Sequence, residues 1–136
     1  MNISKIQYIY DKKNNPLALV IRRNYFPKTV NFITRETDNL QIATMKDRSN
    51  QSSKPHSHRS ISRKIKGTTE VLIVVKGRIE VQIFDFESNF VESVFLKKMD
   101  MVYLISGGHS VQFRRNSRIY EIKQGPYLGK KDKYFL

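Results

Sequence analysis

The chain contains three histidines, residues of a type that can ligate a metal: His56 and His58 form a His-x-His pair, and His109 comes 51 positions after His58. Between them stands Glu70, with six residues separating it from Gly77. On an extended strand, residues two apart point to the same face, so a His-x-His pair can present both rings together. A third imidazole and a carboxylate from neighbouring strands would complete a four-ligand nest for a divalent transition ion, with Fe, Mn, Ni and Zn all suited to such a donor set. Each residue alone has a plainer reading. The pair can be a solvated surface pair in a basic stretch, and His109 can be a packed histidine bonded to backbone. Their joint order favours the site.

The elements that must position these groups read as strands. Short apolar or alternating runs occur at Ile6–Tyr10, Leu17–Arg22, Val30–Thr34, Leu40–Met45, Val71–Val75, Ile79–Phe84, Val91–Leu96, Met101–Ile105, Val111–Arg114 and Ile119–Ile122. They are rich in Val, Ile, Phe and Tyr, turn residues separate them, and no stretch has helical spacing over three turns. Lys76-Gly77 and Glu87–Asn89 read as tight connections, and Ser106-Gly107-Gly108 as a turn with positive φ. The pattern predicts an all-β antiparallel sandwich or barrel.

Glu70 opens a strand on which Leu72 and Val74 share its face, while Val71, Ile73 and Val75 form a second apolar face. Such a strand is expected to be buried on both sides. A carboxylate entering that interior needs a compensating cation, because burying it unpaired costs several kcal/mol, on the order of the desolvation penalty of an ion. His109 heads a stripe with Val111 and Phe113, which places it at the end of an inward face. The long polar stretch 46–69 carries the His pair and reads as a functional loop or irregular strand at a site mouth.

At 136 residues the chain is read as one domain, 1–136, with N-terminal strands over 1–45 and the motif-bearing barrel over 46–136. With no cysteine, disulfides, thiolate ligands and a cysteine nucleophile are excluded. No apolar run has the length of a membrane span and no signal-peptide pattern opens the chain, so a cytoplasmic protein without membrane attachment is expected. The net charge of +13 invites a polyanion reading. No helix-turn-helix, zinc-finger or RNA-recognition pattern accompanies it, and the aromatics form no stacking platform, so a solvated surface is preferred to nucleic-acid binding. Some of these cations are expected to meet an anionic small substrate such as a phosphorylated sugar.

With these residues in hand, the chain resembles the cupin superfamily. His56-Ser57-His58, Glu70 and Gly77 stand in the order of its first motif, and Gly107-Gly108-His109 stands where its second motif has a turn and a histidine. The spacer of eleven residues between His58 and Glu70 is longer than the family's, Asn50 stands near the place of its first glycine, and its second-motif proline is absent. The resemblance covers about the last two thirds of the chain. It implies an antiparallel double-stranded β-helix (the cupin jelly-roll barrel), the metal ligands His56, His58, Glu70 and His109, and a homodimer. The stretches 105–109 and 121–127 further resemble small bacterial cupins associated with surface-polysaccharide and sugar-nucleotide metabolism.

Around that shell, Arg59 and Arg63 could hold phosphate or carboxylate through their planar forks. Glu121 and Lys123 share a strand face as an ion pair, a rim contact or a substrate clamp. Tyr127, after Gly125-Pro126, could fold back over the barrel. The expected function is a divalent-metal-binding cupin that binds or acts on a small polar metabolite, such as a sugar or sugar nucleotide. The alternatives are a metal-independent sugar-nucleotide isomerase or epimerase, with His58 or His109 as base and Tyr103 or Tyr127 as acid, and a non-catalytic polyanion-binding module.

Overall fold

Alternation of apolar and polar residues runs through the chain with the period of a strand, and the computed structural model is accordingly all-β with antiparallel sheets. It describes residues 4–47, 49 and 52–136; Asn50 lies outside them. The strands are β1 (Ile6–Tyr10), β2 (Pro16–Ile21), β3 (Val30–Phe32), β4 (Ala43–Met45), β5 (Glu70–Lys76), β6 (Arg78–Phe84), β7 (Phe90–Lys97), β8 (Met101–Leu104), β9 (Gly108–Phe113) and β10 (Arg118–Lys123). Every run expected from the sequence contains a strand, although Leu40–Met45 is one only over Ala43–Met45 and Val30–Thr34 only over Val30–Phe32. One 3₁₀ turn, Gly129–Asp132, follows β10.

The chain divides into two compact units, residues 26–67 and the remainder, 1–25 with 68–136. The sequence reading places its internal division at residue 45 instead. β1 and β2 therefore belong to the same unit as the motif-bearing strands, because β2 pairs with β8 from Ala18↔Leu104 to Ile21↔Met101. In the 26–67 unit, β3 and β4 form a two-stranded ladder. The polar stretch that follows β4 carries no strand before Glu70 among the described residues.

The larger unit is a sandwich. One sheet has the order β1-β2-β8-β5-β10 and the other β7-β6-β9, and neither closes on itself among the described residues. Leu17, Ala18, Val20, Leu72, Val74, Val102 and Leu104 from the first sheet share one core with Ile79, Val81, Ile83, Val94 and Leu96 from the second. Burying these side chains stabilises by about 1.5–3 kcal/mol each before the entropy of ordering the chain is subtracted. As the apolar pattern of β5 predicts, the first sheet has buried residues on its other face as well: Leu19, Ile21, Val71 and Tyr103. Ile73 and Val75 on that face are half-buried, and Tyr120 and Ile122 of the edge strand β10 are exposed.

Two loops at one end are built alike. Asp11 and Asp85 each open a five-residue connection closed by an asparagine, Asn15 or Asn89. Each aspartate accepts the backbone N–H of residues two and four ahead: Lys13 and Asn15 at 2.8 Å, Glu87 and Asn89 at 2.9 Å. The fourth residue has positive φ in both, 61° at Asn14 and 64° at Ser88. An aspartate that caps its own turn in this way costs little and fixes the hairpin register. Lys13 Nζ joins the two loops through Glu87 at 2.6 Å.

Candidate functional site

The inward faces of the two sheets run out of apolar residues at the same end, and polar groups take over there. On β5 the inward set is Glu70, Leu72 and Val74; on β9 it is His109 and Val111, with Val81 opposite Val111 and Ile83 opposite His109, while Phe113 at the far end of β9 is exposed. Glu70 and His109 meet across the sandwich, Oε2 to Nε2, at 3.0 Å. The contact joins the two sheets and puts both residues of the expected pair on the inward face, as their strand parity requires.

Lys123 closes the site from the edge strand. It stands opposite Glu70 in the β10–β5 ladder. Its Nζ lies 3.4 Å from Glu70 Oε1 and 2.6 Å from Glu121 Oε1. Of the readings open for Glu121 and Lys123, the structure thus contains the ion pair. The Lys123 ammonium also sits 5.6 Å from the centre of the Tyr127 ring, within cation–π range. Tyr127 folds toward the site in that sense, although it stays largely exposed. Tyr103 is buried on the opposite face, in register with Val71, and does not face the Glu70 carboxylate.

The Glu70 carboxyl is held below its ordinary pKa. The hydrogen bond from His109 is the main cause, and the charge of Lys123 adds to it against the opposing effect of burial. Lys123 is raised, chiefly by its hydrogen bond to Glu121. The site thus holds a persistent carboxylate beside a persistent ammonium. With a proton on His109 Nε2 donated to Glu70, a neutral ring leaves Nδ1 as an acceptor.

Two residues that the sequence reading passed over fix this geometry. Gln124 Oε1 accepts the N–H of Thr69 at 2.9 Å, and Gln124 Nε2 donates to Thr69 Oγ1 at 2.5 Å. These two hydrogen bonds tie the end of β10 to the start of β5, beside Lys123 and Glu70. The sequence assigns neither residue a role, and the ladder register reveals that they face each other. His109 is set by the turn before it. Ser106 Oγ donates to the Pro16 carbonyl at 2.7 Å, and Ile105 N–H to Leu17 O at 2.8 Å. At Gly107, φ is +71° and a Cβ would run into the Phe84 carbonyl oxygen. Of the two glycines, only Gly107 has the positive φ expected of the turn.

His56 and His58 belong to the 26–67 unit. They are exposed and lie on irregular chain rather than a strand. Their rings still stand side by side, edge to face, with centroids 5.3 Å apart. The Nδ1 of His56 lies 2.8 Å from the Lys54 carbonyl. Arg59 and Arg63 in the same unit are exposed, and neither has an ion-pair partner among the described residues. Among the described residues, no group of three or more His, Asp or Glu side chains is gathered closely enough to hold a metal. Nor does any helix among them have the length and apolar character to cross a membrane.

No protein-family model, curated protein or solved structure matches this chain.

Proposed function

We propose that the Glu70–His109 end of the sandwich binds a small polar metabolite with the help of a divalent metal ion. The observation that carries this reading is the 3.0 Å separation of Glu70 Oε2 and His109 Nε2 at the mouth of an apolar interior. Two donors each about 2.1 Å from one ion and at right angles to each other would be about 3.0 Å apart, so an ion that displaced the proton now shared by Nε2 and Oε2 would find two positions of an N/O coordination sphere. The cupin resemblance, and not the placement of the two units, suggests His56 and His58 as the other ligands. A bound ion would polarise a carbonyl or hydroxyl oxygen of the metabolite, or lower the pKa of a coordinated water. Glu121, Lys123 and Tyr127 offer it hydrogen bonds at the rim, and Lys123 keeps Glu70 anionic.

The finer fold that goes with this reading is the double-stranded β-helix. Its support is the nesting of pairs: β6 with β9, and outside them β5 with β10, in opposite sheets. A long hairpin folded over on itself gives that nesting in a jelly roll. A sugar or sugar nucleotide is the metabolite class that the cupin resemblance suggests. The exposed Tyr120 and Ile122 on the outer face of β10 support a homodimer, which sedimentation equilibrium tests.

A second reading has its own observation. The ammonium of Lys123, 3.4 Å from Glu70, supplies positive charge to the carboxylate without a metal. In that case Glu70 orients His109 as a general base and Tyr127 serves as the acid, as in a metal-independent isomerase or epimerase. Elemental analysis of the purified protein separates the two. About one divalent ion per chain in wild type, lost in His109→Ala and in the double variant His56→Ala/His58→Ala, is expected of the metal site. Wild type that neither carries nor takes up a divalent ion overturns it. Ligand binding, read as thermal shift with nucleotide sugars, should then disappear on chelation; persistence after chelation supports the acid–base reading.

A further inference from the structure

The opposite end of the same sandwich has a different chemistry. Four connections converge there: the chain leaving β2, the β5–β6 turn, the β7–β8 turn and the chain leaving β9. They line a pocket of about 410 Å³ with Arg23, Gly77, Arg78, Lys97, Lys98, Arg114 and Arg115. The volume falls within the roughly 300–1,000 Å³ of small-molecule sites. Every lining residue but the glycine is a cation, and no carboxylate or aromatic ring is among them.

These charges are largely uncompensated. Among the described residues, Arg114 alone of the lining cations has an ion pair, at 3.4 Å to Glu80 Oε2. The buried Asp100 is occupied elsewhere. Its carboxylate accepts from Arg22 Nη1 at 3.1 Å, and from the backbone N–H groups of Arg23 and Lys97, both at 3.0 Å. Asp100 therefore anchors the loops that carry two of the cations without neutralising either side chain. Gly77, at φ +73°, completes the tight turn where a Cβ would meet Ser117 Oγ at 2.5 Å. The fold brings six cationic residues to one concavity, and an anion bound there would answer their shared charge. Arginine forks and lysine ammonium groups, the ends of the side chains that line this concavity, are suited to the oxygens of phosphate groups.

We propose that this pocket is a binding site for a compact oligophosphate, a di- or triphosphate group carried alone or on a small molecule. Convergence of the cations on a single concavity favours such a ligand over nucleic acid, which calls for an extended basic track and stacking aromatics. The site is independent of the Glu70–His109 reading. Glu70 and Lys76 begin and end β5, so the two ends lie about 20 Å apart at roughly 3.3 Å per residue.

Calorimetric titration with inorganic tripolyphosphate at low and moderate salt tests the proposal. Wild type should bind one equivalent, more weakly as salt rises. Lys98→Ala/Arg115→Ala should weaken binding at least tenfold, and adding Arg23→Ala should abolish it. All three side chains are exposed and the variants should melt as wild type does without ligand. Glu70→Gln should bind tripolyphosphate as wild type does, whatever becomes of the metal site. The proposal is overturned if wild type does not bind, or if the triple variant binds as well as wild type. It is equally overturned if single-stranded oligonucleotides displace tripolyphosphate with an affinity that grows with their length, the mark of a nucleic-acid track.

Discussion

Glu70 on β5 and His109 on β9 belong to different sheets, and their side chains meet at 3.0 Å across the end of the core they share. The carboxylate side chain is mostly buried, with 17% of its surface exposed. It is answered by an imidazole from one side and the Lys123 ammonium from the other. A double-mutant cycle measures the link. Glu70→Ala and His109→Ala should be non-additive, with a coupling of about 1–2 kcal/mol, typical of partners in direct polar contact. Additive losses in chemical denaturation would mean that the two groups do not meet in solution.

Asp100 should matter more to stability than any surface charge. It is 5% exposed and satisfies Arg22 together with two backbone N–H groups. Asp100→Ala leaves all three without their acceptor, and about 3 kcal/mol of stability should be lost, the order found when one partner of a buried pair is removed. Urea denaturation gives the number. A loss of only a few tenths would place Asp100 among ordinary surface residues.

Gly107→Ala tests how tightly the turn before His109 is specified. The left-handed backbone costs an alanine about 1–2 kcal/mol, and the added Cβ also runs into the Phe84 carbonyl oxygen. Gly125→Ala is the control, since a Cβ there meets nothing within 4 Å. The midpoint of thermal unfolding should fall clearly for the first and little for the second.

The paired loops predict a response to acid. The hydrogen bond from the Asn15 side chain holds the Asp11 carboxyl below its ordinary pKa, and the Asn89 backbone N–H does the same for Asp85. A carboxyl lowered on folding contributes stability that is present above its unfolded value. That contribution is lost as pH falls through the folded value. Carboxyl carbon titrations by NMR should therefore place both midpoints below those of Asp11 and Asp85 in the unfolded chain. Asp85→Asn should flatten the acid side of the stability profile. Midpoints at ordinary values would show that the loops do not hold their turns in solution.

Period-two alternation with Gly and Asn at the turns made each strand readable. The same parity put Glu70 and His109 on inward faces, since side-chain direction along a strand follows from local sequence alone. The positive φ at Gly107 was legible for a similar reason, as glycine meets that demand at no steric cost. Other features depended on which strands became neighbours. Thr69 and Gln124 are 55 positions apart, and only the β5–β10 register makes them a clasp. The long basic tally along the chain says nothing about where charge accumulates. Arg23, Arg78, Lys98 and Arg115 look like scattered surface cations until four connections bring them to one pocket. Local residue pattern determined the strands, their faces and the turn residues, because those preferences act over a few bonds. Tertiary structure decided which carboxylate meets which imidazole and where the cations converge, because strand pairing joins residues that the sequence keeps far apart.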